Sequence, residues 1–133
     1  MQSVFVGSGN LGADPTLRVV KVEGEDRSVC NLRVNFDRRR PSKDGKGWED
    51  AGSFWASVSM WGRHAEMADK ILRKGARVVV SGEIYQHEWT DENEGDRVEM
   101  RITAESVSLD LMCVETVQYR AKSSADKEGS VAA

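Results

Sequence analysis

The strongest constraint on this chain is the run Phe54-Trp55-Ala56-Ser57-Val58-Ser59-Met60-Trp61-Gly62. Side chains alternate between the two faces of a β-strand. The even positions, Phe54, Ala56, Val58 and Met60, are apolar and belong in a core. The odd positions, Trp55, Ser57, Ser59 and Trp61, set two indoles around two small hydroxyls. A second buried face would carry Val, Ile or Leu instead. Indoles over serines suit a flat stacking surface held by a rigid strand, with room above the serines for something planar. Nucleic-acid bases are planar, and base–aromatic stacking is worth roughly 1–3 kcal/mol per base. On this strand alone the alternative is that the tryptophans cover a second small core or a subunit interface.

A similar strand precedes it. In Val29 to Phe36, Cys30, Leu32, Val34 and Phe36 are apolar, whereas Asn31, Arg33 and Asn35 are polar. That is period-two alternation for a half-buried strand, and its polar face offers hydrogen-bond donors and a guanidinium. Residues 37–52 read as a long charged loop. It holds Arg38, Arg39, Arg40, Lys43 and Lys46, together with Trp48. Further on, residues 63–74 predict the one helix, with Ala65, Ala68, Ile71 and Leu72 on its inner face and Gly75 as its C-cap. Residues 77–90 and 98–104 predict a long hairpin arm around the acidic turn 91–96, with Trp89 near its tip.

Near the start, Gly7-Ser8-Gly9-Asn10-Leu11-Gly12 matches G-x-G-x-x-G. A dinucleotide fingerprint needs a helix beginning inside that motif. Asp14-Pro15 and the β-prone residues 16–22 exclude one, so the glycines are expected to permit a bend or bulge between strands. The acidic turn lacks the ligands of a calcium loop: Gly95 and Ile102 stand where two of them belong. The histidines, His64 and His87, and the cysteines, Cys30 and Cys113, have no metal-ligand or nucleophile spacing. The expectation is a binding module without cofactor or metal, not an enzyme.

At 133 residues the chain suffices for one domain. Its net charge of −3 argues against a general polyanion binder, but the arginine-rich segment is locally basic. No apolar run approaches a membrane span, and residues 1–7 lack the pattern of a signal peptide. Together with the two isolated cysteines, this predicts a reduced, cytoplasmic setting.

The predicted elements amount to a mainly all-β fold. It is a five-stranded OB-fold barrel with one helix between strands 3 and 4 and an extended hairpin arm. OB-folds bind single strands on the face of strands 2 and 3.

The chain resembles the bacterial single-stranded DNA-binding protein family over about residues 4–111. The matching stretches are Gly9 to Pro15 with Leu17-Arg18, Val29 to Val34, Phe54-Trp55 through Trp61-Gly62, Ala65-Glu66, Leu72 to Gly75, Val80 to Ile84, and Trp89-Thr90-Asp91. The resemblance implies binding of single-stranded DNA during replication, recombination, repair or element transfer, and a homotetramer, with a dimer as the smaller assembly. It also implies that Trp55, Trp61 and Trp89 occupy the family's stacking positions. The chain departs from the family in three places. The aromatic that often follows the second strand is missing near Arg40, and Phe36 has core parity, so Trp48 or the Arg40 guanidinium is expected to substitute. Tyr85, Gln86, His87 and Glu88 stand where basic residues are common. The end, Lys127 to Ala133, lacks the acidic, hydrophobic tip that recruits replication and repair proteins, which suits a specialised mobile-element, phage or primosomal relative.

Domain 1–112 is therefore expected to be the OB-fold, with 113–133 a last strand followed by a flexible tail. Asn31, Arg33, Asn35, Arg38, Arg39, Arg40, Lys43 and Lys46 are the expected base and phosphate contacts. Arg18, Lys21, Arg73, Lys74 and Arg77 are further candidates. The competing function is an OB-fold protein-interaction component of a primosome or recombination complex, whose tryptophan face packs on protein.

Overall fold

The computed structural model describes residues 4–93 and 95–121, with the side chains of Arg39 and Asp50 set aside. Six strands and one helix follow in order: β1 (Val4–Leu11), β2 (Thr16–Val22), β3 (Glu25–Pro41), β4 (Trp48–Trp61), α1 (Arg63–Ile71), β5 (Arg77–Asp91) and β6 (Gly95–Leu109). The hydrogen-bonded order is β1-β5-β6-β4-β3-β2, and β1 also pairs with β3. That extra pairing closes a ring, and a closed sheet has no free edge inside the barrel.

β1 and β2 are two halves of one strand. Both run antiparallel to β3: Leu11 pairs with Val34 and Thr16 with Asn31, on either side of the Gly12–Pro15 bend. Counted so, the barrel has five strands and its helix lies between the third and fourth. It is the expected OB-fold. The one parallel pair joins β4 to β6, Ser57 opposite Arg101.

The parity of β3 and β4 sorts the side chains. Cys30, Leu32, Val34, Phe36, Ala56, Val58 and Met60 are buried with Leu11, Val78, Val80 and Ile102. Burial, with Asp69 nearby, pushes the Cys30 thiol up to about 11, although a backbone hydrogen bond from Thr16 opposes it. α1 closes one end of the barrel through Ala65 and Ala68, with Leu72 just beyond its end. Phe54 is an exception to the expected core. It lies at the barrel rim and stays 39% exposed, edge-to-face with Phe5 and tilted against Phe36.

Several local expectations are corrected. The helix stops at Ile71, which is exposed, because Leu72 turns to extended backbone and buries its own side chain. Gly75 is thus not the C-cap. With φ 89° it serves the turn into β5, where its N–H donates to the Leu11 carbonyl at 2.8 Å. The neighbouring Lys74 N–H donates to the Asp14 carboxylate at 2.8 Å, tying that turn to the β1–β2 bend.

Residues 37–52 are not a long loop. β3 and β4 continue as a hairpin past a register shift between Asp37 and Arg39, out to Pro41 opposite Trp48. The ion pair between Arg40 and Glu49, opposite each other in the register, suits strand extension. The last strand expected after residue 112 is not found among the described residues: β6 ends at Leu109. Asp110 then accepts a hydrogen bond from the Met112 N–H and starts a single 3-10 turn, and 114–121 is described without strand. The tail beyond 121 lies outside the described residues.

Candidate nucleic-acid interface

One outer face of the barrel collects the odd positions of four strands. Arg33 on β3 pairs with Ser57 on β4, Ser57 with Arg101 on β6, and Arg101 with Tyr85 on β5. Asn31 and Ser59 lie on one side of this row, and Asn35 and Trp55 on the other. Trp55, Trp61 and Trp89 are each 41–46% exposed. For side chains of that size on a folded surface, such exposure is unusual without a ligand or a partner.

Two adjoining grooves run over the face. The first, about 530 Å³, lies between Arg33, Trp55, Trp89, Arg97, Glu99 and Met100. The second, about 340 Å³, lies between Arg18, Asn31, Ser59, Trp61, Tyr85 and Arg101. The structure thus brings together the three expected indoles with Asn31, Arg33 and Arg18. The Arg33 guanidinium sits 5.6 Å from the centre of the Trp55 ring, a cation–π contact that holds both side chains. His87 stacks on Trp89 with ring centres 5.7 Å apart.

The floor of the face explains the glycines. Gly7, Gly9 and Gly12 have no positive φ, so their role is space rather than backbone freedom. Gly12 lies directly under the Trp55 ring, and Gly9 lets β1 approach the backbone of Asn35 and Phe36.

Tyr85, Arg97, Glu99 and Arg101 were missed as site residues by the sequence reading. Arg97 and Arg101 supply the basic character that the stretch before Trp89 lacks. Their signal was available: β6 has apolar even positions, so its odd positions face the same side as Trp89, opposite which Arg97 pairs.

Glu99 is the centre of the electrostatics. Its Oε1 accepts a hydrogen bond from Ser57 Oγ and lies 3.4 Å from an Arg33 guanidinium nitrogen, and its Oε2 lies 3.4 Å from Arg101 Nε. Burial pushes its carboxyl up. The Ser57 hydrogen bond and the Arg101 and Arg33 charges outweigh that and hold it below the usual glutamate value.

Other expected contacts lie elsewhere. Arg77 is structural: it makes two hydrogen bonds to the Asp37 carboxylate at 2.7 and 2.9 Å, a third to Asn10 and an ion pair with Asp110. Arg73 and Lys74 line a separate groove beside Cys113. Arg40 is paired with Glu49 at 2.8 Å. Arg38, Lys43, Lys46 and Lys21 are exposed away from the two grooves, and the Arg39 side chain is outside the described set. Trp48 is 69% exposed at the far end of the β3–β4 hairpin and lines neither groove. Asn35 keeps its Oδ1 buried without a hydrogen-bond partner among the described residues, so that oxygen is turned from the surface. No group of three or more His, Cys, Asp or Glu placed to hold a metal occurs among the described residues, and no helix there is long and apolar enough to cross a membrane.

Comparison with known proteins bears on this face. The model of the single-strand binding protein family matches residues 1–110. Single-stranded DNA-binding proteins of Treponema pallidum (strain Nichols) and Helicobacter hepaticus are each 33% identical over 101 residues, which is 76% of this chain and 53% and 56% of theirs. The chain spans about half the length of these curated relatives. A small single-stranded DNA-binding protein from Streptomyces coelicolor, solved as a crystal structure, shares the fold with a TM-score of 0.66 at 22% identity, over 86% of this chain and 99% of that one.

Proposed function

This chain belongs to the single-strand binding protein family, and from that premise we propose that it binds single-stranded DNA with little regard to sequence. Trp55, Trp61 and Trp89 stack bases. Arg33, Arg97, Arg101 and Arg18 lie among them and neutralise phosphates, and Arg38, Lys43 and Lys46 extend the track along the hairpin. The observation that carries this reading is the joining of three half-exposed indoles and four arginines on one face of a closed barrel. Stacking surfaces beside a basic track are how single strands are held without base readout. The role is binding rather than catalysis.

The protein is proposed to act in the cytoplasm, protecting single strands in replication, recombination, repair or element transfer. A homotetramer, or a dimer, is the proposed assembly. The outward-facing Val4 and Val6 of β1, 83% and 69% exposed, support an apolar contact between copies.

Fluorescence anisotropy of labelled oligo-dT tests the reading. With about four phosphates neutralised, log K falls against log salt with a slope of about −3. Tight binding with a flat salt response contradicts it.

A further inference from the structure

Sequence-tolerant binding calls for indoles and cations, yet the middle of this face holds an anion. Glu99 bridges Arg33 and Arg101 and takes a hydrogen bond from Ser57. Arg33 lies in the groove of Trp55 and Trp89, and Arg101 in that of Trp61 and Tyr85, so Glu99 joins the two. A phosphate pairs with the two guanidinium groups rather than with the carboxylate, so what Glu99 itself can take from a crossing strand is a donor on a base edge.

The donors already on Glu99 leave it able to accept more. An ionised carboxylate has about four lone-pair sites. Both arginine contacts, at 3.4 Å, are long against the roughly 2.7–2.9 Å of a tight charge-assisted bond. The Arg33 side chain is 46% exposed, and a base edge that offers Glu99 shorter hydrogen bonds can displace its long contact there. Among the DNA bases, guanine alone offers two adjacent donors, N1–H and N2–H, on its Watson–Crick edge, with the O6 acceptor beside them. Cytosine and adenine place a ring nitrogen lone pair beside their amino group. Thymine flanks its single N–H with two carbonyl oxygens, which the carboxylate repels.

We propose that Glu99, with Arg33 and Arg101, forms a guanine-preferring subsite within the otherwise sequence-tolerant face. The carboxylate accepts N1–H and N2–H, and a released guanidinium donates to O6. This rests on the DNA-binding reading above.

The test compares oligonucleotides of one length: all-dT, dT with one central dG, and dT with one central deoxyinosine, which keeps N1–H and O6 but lacks the N2 amino group. Competition against a labelled oligo-dT at low salt reads relative affinity. The wild-type protein binds the dG oligonucleotide about fivefold or more tightly than all-dT, the low end for a bidentate base contact, with inosine between. Glu99→Gln abolishes the preference for dG over dT. Equal wild-type affinity for dG and dT, or a preference that survives in Glu99→Gln, overturns the subsite and leaves the DNA-binding reading standing. Failure to bind any of the three overturns both. The inosine comparison uses the wild-type chain alone, so the proposal remains falsifiable whatever the variant's stability.

Discussion

Gly12 leaves the space that the Trp55 indole fills: a Cβ on residue 12 would lie 2.5 Å from Trp55 Cζ3 and 2.6 Å from Cη2. The obstructed atoms are the far end of a side chain, which can tilt. At Gly9 a Cβ would press on the backbone of Asn35 and come within 2.9 Å of Phe36 Cα, and backbone cannot yield so cheaply. Gly12→Ala is therefore expected to cost under about 1 kcal/mol of stability while weakening oligo-dT binding severalfold. Gly9→Ala is expected to cost about 2 kcal/mol or more. Urea denaturation and anisotropy on both variants check the split.

The three stacking indoles are separable. Trp55→Ala, Trp61→Ala and Trp89→Ala are each expected to lose about 1–3 kcal/mol of oligo-dT affinity. Trp48 stands apart at the hairpin end. Its replacement by Ala leaves short oligonucleotides unaffected and weakens only those long enough to reach the hairpin, as a series of dT lengths shows.

Arg77 separates architecture from binding. It joins β1, β3 and the segment after β6 through Asn10, Asp37 and Asp110. Removing it leaves the Asp37 carboxylate, whose side chain is only 19% exposed, without this partner. Arg77→Ala is expected to lose about 2 kcal/mol of stability, discounted from the fully buried case for solvent screening. Its salt slope for oligo-dT matches that of the wild type, whereas Arg33→Gln flattens the slope.

Most of the fold was legible because period-two alternation separates the faces of β3 and β4 so cleanly that core and ligand side follow from parity. The same rule located Trp55, Trp61 and Asn31. It failed where tertiary demands replaced local ones. Leu72 leaves the helix early to reach the core, and Arg40 lies in a strand because Glu49 pairs with it across the hairpin. Arg77 looked like a phosphate contact because nothing local reveals a carboxylate 40 residues away. Glu99 and Arg101 were overlooked because the arm was judged by the residues before Trp89, while its charge comes from the opposite strand.

Acid should act through Glu99. Its carboxyl titrates below the ordinary value of 4.5, so the folded state binds its proton less readily than the unfolded chain. The resulting stabilisation is fully present above pH 4.5 and is lost as pH falls through the lower folded-state value. The difference in Tm between wild type and Glu99→Gln therefore shrinks as pH is lowered below 4.5. A difference that stays constant into the acid range contradicts the assignment.

The most direct test is a tryptophan-fluorescence titration with long oligo-dT at low and high salt. Bases stacked on Trp55, Trp61 and Trp89 quench the emission strongly, and salt weakens the effect as cations compete for phosphates. No quenching at low salt would mean that the indoles face protein, and the chain would then be an interaction domain rather than a binder of single strands.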